Sequence, residues 1–385
     1  MVAIGLLDIP PEIQLQIAEF VETRQSLKAL SVTSRSLRTI AQSMLFETLR
    51  IKLVTERTGS VDDLLANPRI CTAIRFLELR GRFLSSSMPR NDEEQLSLIQ
   101  KFLPEMVGLR KVSISQVNLS KAFLDTFLGI AANIPLQISL TWNMYPYGVI
   151  PTPPTPLQIS HLHISATVRD PSREFYRLIF RASANTLTRL SIKSDGNGLI
   201  GLTDINLPFL RDLNLFIALE NELSKTSAAA FLTTQTAIRK LVLRGRIFPL
   251  PPLPPNALPN LRELKASSEM VNRLVPGRPV KEIEVSSQGR DQDWFGEEVG
   301  QSTARVRMLR VHLDTAILAT RMVNRMVTIL PFLENLWLPV SDDVSGPFTR
   351  LSDLGSSFPS GIPQCCRNPH LTQVPQVPTR QSDSS

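Results

Sequence analysis

The chain has 385 residues, 42% of them hydrophobic and 20% charged, with a formal net charge of +7. That is the composition of a folded protein with room for about two to three domains, or for one repeat array carrying a small module. Acidic and basic residues interleave along the chain instead of forming the concentrated cationic face of a nucleic-acid binder, and no stretch reaches the roughly twenty apolar residues of a membrane span.

Three cysteines, Cys71, Cys365 and Cys366, are too few for a disulfide framework and suit a reducing compartment. The start, MVAIGLLDIPPE, lacks the basic n-region and long apolar run of a secretory signal, so a cytoplasmic or nuclear location is expected. With only 6% aromatic residues, the core is expected to be aliphatic.

Residues 7–46 read as three short helices. Pro10 and Pro11 suit a first helical turn, where the missing N–H is not needed, and Glu12 complements the helix dipole there. Ile13, Ile17, Phe20 and Val21 then share one face. Ser26 is a candidate N-cap for a second helix carrying Leu27, Leu30 and Val32. Thr33 or Ser34 can cap a third, with Leu37, Ile40, Ala41, Met44 and Leu45 on a common face. About forty residues bury little core alone, so the module needs a partner surface or a following domain; a plain helical cap on the rest of the chain is the simpler alternative.

The segment LLDIPPEIQLQIAEFVETRQSLKALSVTSRSLRTIAQSMLF resembles an F-box. The family's opening Leu-Pro-x-Glu-Leu-x-x-x-Ile is matched by Ile9, Pro10, Pro11, Glu12, Ile13 and Ile17, and its second-helix start by Ser26 and Leu27. Its following run is matched by Leu30, Ser31, Val32, Thr33, Arg35, Leu37, Arg38 and Ile40, with Ser34 in place of the usual Cys and Leu37 where many members carry Trp. The resemblance implies docking to an Skp-type adaptor and through it to a cullin–RING ubiquitin ligase. Its implied adaptor-binding residues are Leu7, Ile9, Pro10, Pro11, Ile13, Ile17, Leu27, Leu30 and Val32.

Beyond Arg69 an L-x-x-L-x-L template recurs, from Ile74/Leu77/Leu79 and Leu109/Val112/Ile114 through to Leu333/Leu336/Leu338, with a weaker copy near Ile138 and Leu140. Successive copies lie 19 to 35 residues apart, the interval of leucine-rich repeats. Helical patterns fall between them at 93–103, 119–132, 172–184 and 316–330. The Asn usual eight residues after the first Leu is replaced, for example by Asp195, Arg246 and Gln288, so an irregular coil is expected.

The expected fold is therefore an α/β repeat solenoid, an irregular leucine-rich-repeat-like horseshoe, preceded by a small three-helix F-box module. The expected boundaries are 5–50 for the module, 51–72 for a linker, 73–345 for the repeats and 346–385 for a disordered tail rich in Ser, Pro, Gln and Thr.

Polar positions flanking the strand leucines should line the concave face. They give a basic cluster, Arg189, Lys193, Lys240 and Arg244, followed by an acidic one, Glu263, Glu282 and Glu284. These seven residues are the expected contact face for a protein target of complementary charge.

Other motifs carry less. Gly196, Gly198 and Gly201 spell G-x-G-x-x-G, yet 202–208 shows no helical run to receive a pyrophosphate. His161 and His163 share a strand face without a third ligand, and Cys365, Cys366 and His370 lie in a polar tail. FPLPPLPP at 248–255 reads as a stiff extended connection. The chain thus reads as a non-catalytic receptor subunit with no cofactor, no metal, and neither nucleic acid nor membrane as partner. A repeat scaffold unconnected to a ligase is the alternative.

Overall fold

The computed structural model describes residues 9–21, 23–53, 67–81, 92–141, 143, 153, 156–165, 173–194, 202–217, 222–245, 250–285, 297–311 and 328–337. Three helices open it: α1 (Pro11–Glu19), α2 (Arg24–Thr33) and α3 (Arg35–Leu45). Pro11 sits in the first turn of α1, and the Pro10 carbonyl accepts from Ile13 and Gln14 N–H. The expected Ser26 cap is replaced by Thr23, whose hydroxyl accepts from Ser26 N–H and also meets Ser26 Oγ at 2.7 Å. One extra turn of α2 is thereby fixed ahead of Ser26. Ser34 caps α3 by accepting from Leu37 N–H.

Twelve strands follow: β1 (Thr48–Lys52), β2 (Phe76–Arg80), β3 (Lys111–Ser115), β4 (Leu136–Thr141), β5 (Ile159–Ser165), β6 (Arg189–Ser194), β7 (Asp212–Ile217), β8 (Lys240–Arg244), β9 (Glu263–Ala266), β10 (Glu282–Val285), β11 (Met308–Val311) and β12 (Asn335–Trp337). They form one sheet in strict sequence order, and every neighbouring pair is parallel. Parallel neighbours need a long return path. Among the described residues it runs through α4 (Pro68–Ala73), α5 (Asp92–Phe102), α6 (Lys121–Asn133), α7 (Arg173–Ala182), α8 (Glu222–Thr234) and α9 (Ser268–Leu274), or through irregular chain. This is the solenoid the template predicts, with each L-x-x-L-x-L copy on a strand. No described helix is long and apolar enough to cross a membrane.

The second and third template positions point inward and stack into ladders: Leu77, Val112, Ile138, Leu162, Leu190 and Leu213 in one, Leu79, Ile114, Leu140, Ile164, Ile192 and Leu215 in the next, all at most 3% exposed. This side is aliphatic, as expected. The helix side is not: the largest fully buried side chains are Phe123, Phe127, Phe175, Phe180 and Phe231, on α6, α7 and α8. Strands about 4.8 Å apart favour branched aliphatics in register, whereas the wider gaps between helices need larger side chains to fill them.

Three features differ from expectation. The sheet starts at Thr48, two residues after the C-cap of α3, so Ile51 and Lys52 are strand instead of linker. Pro68–Ala73 is a helix that buries Cys71. The β4 copy, weak because Pro135 replaces its first Leu, does carry the missing Asn at the eighth position: Asn143 is 4% exposed, accepts from Val117 N–H at 3.1 Å and donates to Ile114 O at 2.9 Å.

Elsewhere other side chains close the turns. Gln235, fully buried, accepts from Leu207 N–H and donates to Ile205 O. Thr186 Oγ1 donates to Leu157 O, and Ser302 Oγ to Val280 O. The guanidinium of Arg278 reaches the carbonyls of Pro254, Ala257, Leu274 and Pro276. These pins satisfy buried backbone groups without a continuous Asn ladder. The expected helix at 316–330 and the tail at 346–385 fall outside the described residues, apart from 328–330.

Candidate functional site

Two surfaces bear the residues singled out above. The first is the outer side of α1. Its inner side holds Gln14 and Ala18, which are 2% and 0% exposed. Gln14 Nε2 donates to Ile9 O at 2.8 Å, and its Oε1 accepts from Ser36 Oγ at 2.8 Å, fastening α1 to α3. With that side committed, the 3.6-residue period turns Ile13, Ile17 and Phe20 outward, at 42%, 36% and 86% exposure, and Leu15 emerges at 41%.

The expected adaptor set therefore divides. Pro10, Pro11, Ile13, Ile17 and Val32 are exposed, and Ile9 and Leu30 are half-buried. Leu27 is buried within the helical module, so its role there is internal packing, not docking; Leu7 lies outside the described residues. Leu15 was missed because the Ile-Pro-Pro-Glu-Ile spacing draws attention to the other stripe, whereas Phe20 lay on the predicted face.

The second surface is the outward face of the sheet. It forms the floor of an open groove of about 770 Å³ running from β1 to β8. Along its centre, in one register row, stand Ser113, Ser139, His163, Ser191 and Asn214. Asn214 Oδ1 is buried there without a hydrogen-bond partner among the described residues. Burial pushes the His163 imidazolium below its ordinary pKa, and Lys193 adds to this. His161 shifts down for the same first reason, then because of Arg189, against an opposing pull from Asp212. Ser160 Oγ, 2.9 Å from His161 Nδ1, fixes that ring's orientation. Both rings are thus neutral hydrogen-bonding groups near neutral pH.

The charged clusters lie on strands of this face, but most of their members are engaged by side chains of neighbouring strands. Equal register sets opposite charges on adjacent strands, so Arg189 Nε lies 2.8 Å from Asp212 and Lys240 Nζ 2.6 Å from Glu263. Lys265 bonds Glu284, which Arg310 also approaches at 3.5 Å. Lys193 sits over the Phe216 ring, 5.3 Å from its centroid. Hydrogen bonding to Glu263 holds the Lys240 ammonium above its usual pKa. Only Arg244 and Glu282 of the seven residues have neither an ion pair nor a ring contact among the described residues. Such exposed pairs contribute roughly 0–1 kcal/mol each, so a target could displace them at small cost.

No group of three His, Cys, Asp or Glu side chains suited to a metal ion occurs among the described residues. Described residues 202–211, which follow the glycine triplet, form turns instead of a phosphate-binding helix. Leu250 and Leu253 of the Pro-rich connection pack inward, and Leu250 O accepts from Arg273.

No protein-family profile matches the chain, and no curated protein does. Among solved structures it is similar to that described as the crystal structure of the TLR13–ssRNA13 complex, at 15% identity and a TM-score of 0.39. That match covers 76% of this chain, which spans 38% of the other's length.

Proposed function

We propose that the protein is the substrate-recognition subunit of an SCF-type ubiquitin ligase, a non-catalytic adaptor. Its helical module would dock an Skp-type adaptor and its repeat groove would hold a protein target. The observation that carries this reading is the inverted burial of α1: a helix that seats a glutamine and an alanine inward and leaves two isoleucines, a leucine and a phenylalanine outward. A monomer gains nothing from that arrangement, while a helical partner with an apolar groove would complete the core. The F-box resemblance of the same residues supplies the class of partner.

The groove supports the other half. An open floor with small polar centres, neutral imidazoles and an Asn214 acceptor that has no partner among the described residues suits a polypeptide that brings its own hydrogen bonds. Holding ligase and target on one rigid frame raises the effective concentration of target lysines near the ubiquitin-loaded enzyme.

The test is co-purification of the full chain with an Skp-type adaptor. Wild type is expected to bind, and Ile13→Asp combined with Ile17→Asp to lose binding. Both sites are exposed, so stability should change by no more than about 0.5 kcal/mol per substitution. Failure of wild type to bind would replace the ligase reading with that of a free-standing repeat scaffold.

A further inference from the structure

One charged feature is used by neither surface above. The residue immediately before the strand is Arg211, Arg239, Arg262, Lys281 and Arg307 for β7 through β11, five consecutive cations, all exposed. Their backbones form a continuous column. Each carbonyl accepts two N–H groups from the next repeat: Arg211 O from Arg239 and Lys240, Arg239 O from Arg262 and Glu263, Arg262 O from Lys281 and Glu282, Lys281 O from Arg307 and Met308, all between 2.8 and 3.2 Å. The column is therefore as rigid as the sheet, with a step of about 4.8 Å and a span of about 19 Å.

Apart from Arg307, whose Nε lies 3.6 Å from Glu334, these side chains have no ion pair among the described residues. Asp212 and Glu263, on the adjacent row, are held by Arg189 and Lys240. Five like charges on one edge repel each other, and an anion would relieve that repulsion. Two exposed rings bracket the column at one register position, two residues before its own: Phe209 in the β7 repeat and Phe332 in the β12 repeat. Arg305 stacks over Phe332, 4.2 Å from the ring centroid.

We infer that this edge is a docking lane for an acidic polypeptide segment: an extended run of about six residues rich in Asp and Glu, with apolar side chains at its ends. The length follows from the column and the apolar ends from the two phenylalanines. A single-stranded nucleic acid fits less well. It needs stacking rings along its path, whereas the positions between the phenylalanines in their own row are Ala237, Asn260, Pro279 and Arg305. The lane names the chemistry of a target, and it does not rest on adaptor docking by α1.

The test is fluorescence polarisation with the full chain and no adaptor present. The probe is a labelled peptide of six glutamates flanked by leucines, compared with its glutamine counterpart. The glutamate peptide is expected to bind in a salt-dependent manner and the glutamine peptide much more weakly. Combining Arg239→Glu, Arg262→Glu and Lys281→Glu should weaken binding by about tenfold or more, and the same three positions changed to Gln by less. Arg110→Glu, at the equivalent site of the distant β3 repeat, should have no effect. Far-UV circular dichroism and melting confirm that each variant is folded. Equal binding of both peptides, unchanged binding by the triple variants, or tighter binding of an oligouridylate of similar length would each overturn the inference.

Discussion

Arg278 tests how this solenoid holds together without an asparagine ladder. It is 3% exposed, with no carboxylate partner among the described residues, and its desolvated guanidinium is pushed below the usual arginine pKa. Nε donates to Ala257 O at 2.9 Å, Nη1 to Leu274 O and Pro276 O at 3.1 Å, and Nη2 to Pro254 O at 3.2 Å. The fork thus ties the loop before β9 to the end of α9. In Arg278→Met, Pro254 O keeps the amide of Ala257, but Ala257 O, Leu274 O and Pro276 O lose their guanidinium donor. At roughly 1 kcal/mol for each orphaned acceptor the loss is about 3 kcal/mol, reduced to about 2 by no longer burying a cation. Arg278→Lys keeps the buried charge, yet one ammonium cannot reach carbonyls on both sides, so it should cost about 3 kcal/mol or more. Urea unfolding followed by circular dichroism measures both as shifts in midpoint. A Lys variant as stable as wild type, or a Met variant within about 0.5 kcal/mol of it, would refute the clamp.

Other expectations follow from local geometry. Asn143→Ala removes the partners of Val117 N–H and Ile114 O and should cost about 1–3 kcal/mol in the same assay. A Cβ added at Gly81 would lie 2.0 Å from Gln116 O, a backbone atom held at φ 59°, so Gly81→Ala should destabilise by about 1–3 kcal/mol. His161 and His163 have folded pKa values below the unfolded value of about 6.5, so the unfolded chain binds more protons in that window. Their contribution to stability is full above about pH 6.5 and is lost as pH falls through the lower folded values; His163→Gln should flatten that slope in a pH series of melting curves. Lys193→Met removes a repelling charge and should raise the His163 pKa in an NMR titration.

The repeats were legible because burial of a strand's inward face leaves a period the chain cannot hide. Leu-x-x-Leu-x-Leu marked strands β2, β3 and β5 through β12, and only copies diluted by Pro135 or attached directly to the helices, β4 and β1, were weak or missed. Asn143 went unrecognised for the same reason: without a first Leu there was no origin from which to count eight. The inward side of α1 was illegible because the usual rule was broken. A buried Gln14 is tolerable only where Ile9 O and Ser36 Oγ complete its hydrogen bonds, and Ser36 is twenty-two residues away.

The sequence by itself determined the repeat, the positions of β2, β3 and β5 through β12, and the existence of three helices, all of which rest on local periodicity and capping. Tertiary structure alone decided which charges remain available. Arg189, Lys240 and Glu284 read as an interaction face, but strand register pairs them across neighbouring repeats. The column from Arg211 to Arg307 read as scattered cations until parallel pairing set residues 23 to 28 apart in pairs along one edge, with 19 separating Arg262 from Lys281. Charge complementarity acts through space over a few ångströms, and only the fold converts a sequence interval into that distance.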